Sequence, residues 1–196
     1  GLSMDYQDFF TKKDQATEDP WDFETSLYER VRHASMTEFT LINEPKQILD
    51  LGCGEGHFLS HLLSKAPKIA VTGVELIPKA AERCRLRLAD YSAQVIVMDL
   101  LDYLATASGG PFDVCVCGDV LYYLSPETVR QQVLPGLATR VRLGGNIVVS
   151  YADVNNHEWL TNIFAARFPL DKQVYIKPMQ EPPPWPWVVQ LFRMEG

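Results

Sequence analysis

The run FDVCVCGD (112–119) is apolar at nearly every position, and four further runs share its character: KQILDL (46–51), IAVTGVE (69–75), AQVIVMDL (93–100) and NIVVSY (146–151). A strand that is apolar on both faces has to be covered on both faces, so these runs demand a parallel sheet with helices packed on either side. The intervening stretches suit that role. Residues 57–65 read as a helix, residues 78–90 as a helix rich in Arg and Ala, and a short helix precedes the turn Gly109-Gly110-Pro111. Ser125-Pro126 opens the next helix with a cap and a first-turn proline, and Leu124 is placed to staple onto Val129. Pro135-Gly136 inside that pattern predicts a kink or split, and Leu143-Gly144-Gly145 predicts its end. The expected fold is α/β, a doubly wound and mostly parallel sheet.

Both ends depart from the alternation. Residues 5–20 are polar and acidic and close on Asp19-Pro20, so they read as an arm. Leu27, Val31, Ala34, Met36 and Phe39 roughly keep a helical period, which predicts a helix from Thr25 to Leu41. At the other end, residues 171–177 and 187–194 read as two strands around the proline-rich turn EPPPWP (181–186), an antiparallel hairpin at one sheet edge. Residues 1–44 are thus an N-terminal arm and lid helix, and 45–196 the main domain. Gly1 to Ser3 read as a tag remnant before an initiating Met4.

Composition narrows the class of function. The 196 residues suit one domain, and no apolar run approaches the ~20 residues that span a bilayer. No basic and then apolar leader is visible, so a cytoplasmic location is expected. A net charge of -7 argues against a large nucleic-acid footprint, which needs a basic stripe. The cysteines Cys53, Cys84, Cys115 and Cys117 form no CxxC pair, and the last two face one side of a strand as small core residues. His57 and His61 lie one helical turn apart, but no third ligand is evident, so no metal is expected.

The sharpest local signal is Asp50-Leu51-Gly52-Cys53-Gly54-Glu55-Gly56, where the first strand hands over to a helix. In open α/β sheets ligands bind there, outside the carboxyl ends of the strands. Alternate glycines let the chain turn tightly and let a ligand approach the backbone. The spacing is GxGxG, with His57 where a dinucleotide fingerprint needs its third glycine, and no GK[ST] ending follows. Asp50 and Glu55 would repel a pyrophosphate and suit a cationic ligand.

This segment resembles motif I of the class I methyltransferases that use S-adenosylmethionine (SAM), and the later strand ends fall into register with that family. The resemblance implies a seven-stranded sheet with an antiparallel C-terminal hairpin, and SAM held at Asp50, Gly52, Cys53 and Gly54. It implies that Glu75, followed by Leu76, chelates the ribose hydroxyls. Asp99 would take the adenine amino group while Leu100 offers a backbone N–H, and Asp119 would face the methionine part and the acceptor.

A narrower resemblance lies in DPWDFETSLYERVRH (19–33) and DVLYYL (119–124), which are similar to the nodulation protein S (NodS) group. That group methylates the free amine of a deacetylated chitooligosaccharide, and Asp119 stands where it usually carries Glu. The resemblance implies that Trp21, Tyr28 and Arg32 close over the sheet edge as a lid, with Arg32 on the methionine carboxylate of SAM. Asp119, Tyr122 and His157 are the candidates for orienting or deprotonating the acceptor, expected to be a small molecule, an amine of a sugar or sugar-derived metabolite. Three alternatives stay open: a small-molecule O-methyltransferase, a small-RNA 2′-O-methyltransferase, and a subunit that keeps the fold without the chemistry.

Overall fold

The computed structural model describes residues 27–106, 109–154, 156–179 and 185–196, with side chains from Glu29 onward. In chain order the elements are α1 (Leu27–Leu41), β1 (Gln47–Leu51), α2 (His57–Lys65), β2 (Ala70–Glu75), α3 (Pro78–Arg87), β3 (Ala93–Val97), α4 (Leu100–Thr106) and β4 (Phe112–Gly118). After a short turn of helix at Leu121–Tyr123 come α5 (Pro126–Thr128), a π-helical stretch (Val129–Val133), α6 (Leu134–Arg140), β5 (Val141–Ala152), α7 (Trp159–Arg167), β6 (Leu170–Ile176) and β7 (Trp187–Arg193). The seven strands form one sheet in the order β3-β2-β1-β4-β5-β7-β6. Strands β1 to β5 run parallel, and β7 lies antiparallel to both β5 and β6. The α/β doubly wound expectation is borne out.

Two apolar cores, one on each sheet face, follow from the two-residue period of the strands. Leu49, Cys115, Cys117, Ile147 and Val149 face one side, where α4, α6 and α7 cover them. Ile48, Val114, Val116 and Val148 face the other, against Met36 and Phe39 of α1 and the apolar stripes of α2 and α3. The paired cysteines are core residues on one face, as the sequence suggests.

Several local expectations need correction. The third strand stops at Val97, so Asp99 lies in the turn before α4 rather than at a strand end. The kink or split expected at Pro135-Gly136 takes the form of a π turn just before it, where the Leu134 N–H reaches Val129 O, after which the coil continues to Arg140. Leu143-Gly144-Gly145 does not end a helix, because β5 has already begun at Val141 and the glycines form its bulge against β4. The sequence pattern predicts no helix where α7 forms. The last two strands do form the expected antiparallel pair at one sheet edge, with β7 lying between β5 and the outermost β6. Ser125 does cap its helix, its hydroxyl accepting the Thr128 N–H at 3.1 Å. Among the described residues no helix is long and apolar enough to cross a membrane.

Candidate active site

The carboxyl ends of the parallel strands open into a cavity of about 770 Å³. Its floor is the loop after β1. Gly52, Gly54 and Gly56 all take positive φ (77°, 56° and 87°), a region that L side chains enter at a cost, so the loop folds back in a way the three glycines permit. The N–H groups of Gly52 and Cys53 both donate to Val74 O, at 2.8 and 3.1 Å, which ties the loop to β2. Glu75 completes the tie: one carboxylate oxygen accepts Gly54 N–H at 2.9 Å and the other accepts Ile77 N–H at 2.8 Å. A Cβ added at Gly54 would meet nothing within 4 Å, so this glycine faces open space.

Acidic groups crowd this floor. Asp50 is 4% exposed, and burial first, then the charge of Glu75, pushes its carboxyl up to about 7. A buried acid held that way is ready to ionise when a cation arrives.

The opposite wall comes from the ends of β4 and β5. Asp119 takes a left-handed φ of 59°, and its N–H donates to Ser150 O at 2.9 Å. Burial raises its carboxyl to about 7, Arg32 opposing the rise and Glu29 adding to it. The Tyr122 hydroxyl donates to Asp119 Oδ1. The ring of Tyr122 stacks on His157, with centroids 4.4 Å apart and planes at 19°. His157 Nδ1 lies 2.9 Å from Ala152 O. Ala152 pairs with Trp187 across β5 and β7, and the Arg32 guanidinium sits 4.2 Å over the Trp187 ring. Arg32 is 3% exposed and donates to Glu29 Oε2 from Nε and Nη2, at 3.0 and 2.7 Å. Four elements distant in sequence, α1, β4, β5 and β7, thus supply one wall.

Of the residues singled out in the sequence, Arg32, Asp50, Gly52, Cys53, Gly54, Glu75, Leu76, Leu100, Asp119, Tyr122 and His157 all line the cavity. Trp21 and the Tyr28 side chain lie outside the described residues. Asp99 is not in the lining; its Oδ1 accepts the Leu101 N–H at 2.7 Å and so caps α4, while Met98 beside it reaches the cavity. The sequence reasoning missed Glu29, Trp185 and Trp187. The sequence places Trp187 at the start of a strand, but only the pairing of β7 with β5 sets it against Ala152. His57 lies 3.6 Å from Glu55 and is 7% exposed in its side chain, and among the described residues no three His, Cys, Asp or Glu cluster as metal ligands.

The family model for nodulation protein S (NodS) matches residues 3–153. The chain belongs to the NodS family. It is 28% identical to nodulation protein S of Sinorhizobium fredii over 75% of this chain and 67% of that one. To nodulation protein S of Rhizobium tropici it is 29% identical over 75% of this chain, spanning 61% of the relative's length. Its fold matches the crystal structure of the N-methyltransferase NodS from Bradyrhizobium japonicum in complex with S-adenosyl-L-homocysteine. That likeness has a TM-score of 0.82 at 22% identity and covers 96% of this chain and 98% of the other. The resemblance drawn from 19–33 and 119–124 is therefore borne out, and so is the seven-stranded fold. NodS family membership rests on residues 3–153, so His157, Trp185 and Trp187 belong to the part of the site that lies beyond the match.

Proposed function

We propose that this cavity holds SAM along the glycine loop and passes its methyl group to the amine of a small sugar-derived acceptor seated between Asp119 and His157. NodS family membership carries the class, a SAM-dependent methyltransferase, and the solved relative is an N-methyltransferase with the product cofactor bound. The residues fit such a cofactor. The space over Gly54 is open, Glu75 presents a carboxylate beside it, and the loop carries acids where a phosphate would need cations.

When bound, SAM supplies a methyl group on a sulfonium, already reactive toward a free lone pair. The protein's part is alignment, exclusion of water and control of one proton. Glu75 accepts hydrogen bonds from the ribose hydroxyls at lone pairs that the Gly54 and Ile77 N–H groups leave over. Met98 and Leu100 flank the adenine end. Arg32, stacked on Trp187, meets the methionine carboxylate. Asp119 attracts an ammonium group and holds it beside Tyr122.

The single observation that carries the reading is one cavity joining the glycine loop to the Asp119–Tyr122–His157 wall. Calorimetry with SAM and S-adenosylhomocysteine should show both binding, with ATP and NAD binding negligibly. Labelled SAM should then mark amino sugars in preference to phenols or short RNAs, with activity surviving EDTA. No binding of either nucleoside at millimolar concentration would refute the cofactor assignment. Methylation of phenols or RNA with amino sugars untouched would refute the amine.

A further inference from the structure

We infer that His157 is the base of this site and takes the acceptor's proton on Nε2. The inference rests on the amine reading above and adds the atom that makes the amine reactive. An amine reaches the site largely as an ammonium ion, which has no lone pair to attack with, so one proton has to go to a defined acceptor.

Three features of His157 prepare it. Its Nδ1 lies 2.9 Å from Ala152 O, and a carbonyl only accepts, so Nδ1 carries the ring proton and the neutral ring keeps its lone pair on Nε2. Tyr122 stacks on the ring face at 4.4 Å and fixes its plane. The loop itself is anchored, since Asp153 N–H donates to Pro186 O at 2.8 Å and Val154 N–H donates to Ala152 O at 2.9 Å. Asp119 is the rival base, but its Oδ1 already accepts the Tyr122 hydroxyl, which suits an anchor for the cation more than a proton carrier.

Asp119, Glu29 and Arg32 line the same cavity as the His157 ring, and Asp153 and Glu158 are its neighbours in sequence. Arg32 is the one cation of this set, and it is paired to Glu29 at 2.7 Å. The step balances simply. The ammonium proton passes to Nε2, and the freed nitrogen lone pair forms the new N–C bond. The S–C bond breaks with its electron pair left on sulfur, and Nε2 then releases its proton to solvent.

The test uses the full chain and two variants. His157→Asn keeps an N–H where Nδ1 stands, preserving the bond to Ala152 O, but has no basic lone pair. With an amino-sugar acceptor its kcat should fall by about 10²–10⁴-fold, the usual worth of a positioned base, while SAM affinity stays within about twofold. His157→Ala should lose a similar factor and recover at least about tenfold on adding imidazole, a response that a purely structural role does not give. Unchanged kcat in His157→Asn, or a loss matched by lost SAM affinity, overturns the proposal, as does failure of imidazole to restore His157→Ala. Wild type that binds SAM yet methylates no amine would overturn the amine reading and the base with it; active wild type beside an equally active His157→Asn would overturn the base alone.

Discussion

Gly54 and Asp119 sit on opposite walls of the cavity, and both hold left-handed backbone, at φ 56° and 59°. At Gly54 the missing Cβ is what leaves room for a ligand, because nothing of the protein lies within 4 Å of where it would be. Gly54→Val should therefore fold, with a loss of about 1–2 kcal/mol from the positive φ, yet bind no SAM. Calorimetry beside a denaturant melt separates the two effects; SAM affinity equal to wild type would show that the cofactor does not lie over this glycine. The spacing of the loop made this residue legible, since alternate glycines behind a strand are a local pattern. Asp119 is different. Its place in the sequence marks it as an acid after a strand, but only the fold shows that Tyr122, Glu29 and Arg32 share its surroundings. Asp99 marks the limit of local reading. Its Oδ1 takes the Leu101 N–H as a helix cap, a role that the place of an acid just past a strand does not announce.

Among the elements, β4 and β5 carry most of what the linear pattern misjudged. One residue of β4, Asp113, stands opposite four of β5, residues 142–145, between the pairs Phe112–Val141 and Val114–Asn146. The surplus is gathered into a bulge that Asp113 organises, accepting from Arg142 Nε at 2.5 Å and from the Lys46 and Gln47 N–H groups at 2.7 and 2.9 Å. A Cβ at Gly145 would lie 2.5 Å from the backbone oxygen of Asp113. Gly145→Ala should cost about 1–3 kcal/mol in a urea melt, because backbone cannot step aside as a side chain can. SAM affinity of the folded protein should be unchanged, since the bulge lies at the strand ends remote from the cavity. Stability equal to wild type would mean that the bulge relaxes freely. The double glycine read as a helix end because it breaks periodicity either way, and a bulge leaves the same trace as a stop. The helix α7 is harder to read: Leu160, Ile163 and Phe164 are buried at helical spacing, but the period is too short to stand out beside a polar loop.

For the molecule as a whole, three buried titratable groups tie stability to pH. Asp50 and Asp119 are raised to about 7 from the ordinary aspartate value of 3.8, chiefly by burial. Between those values the folded chain holds protons that the unfolded chain has lost. Their contribution is therefore present at low pH and disappears as pH rises toward 7. His33 runs the other way. Burial, aided by the charges of Arg32, His57 and His61, lowers it from 6.5 to about 2, so its contribution is full above 6.5 and is lost as pH falls below that. Replacing one acid isolates one slope. Asp50→Asn should melt close to wild type near pH 4 and progressively higher than wild type up to pH 7, with the gap then constant. A gap that does not change with pH would mean that Asp50 ionises normally in the folded state. SAM, being cationic, should favour the ionised acids, so its binding near pH 7 should release protons and give heats that depend on the buffer.

The α/β alternation, the two-sided cover of the sheet and the site at the end of β1 were legible from the chain alone, because each depends on neighbours in sequence: strand period, cap and glycine spacing. The order of the strands, the insertion of β7 and the wall where Arg32, Asp119, Tyr122, His157 and Trp187 meet were decided by tertiary structure. Those contacts join segments far apart in the chain, and their energy comes from burial and stacking between surfaces. No local periodicity records which distant surface a residue will face.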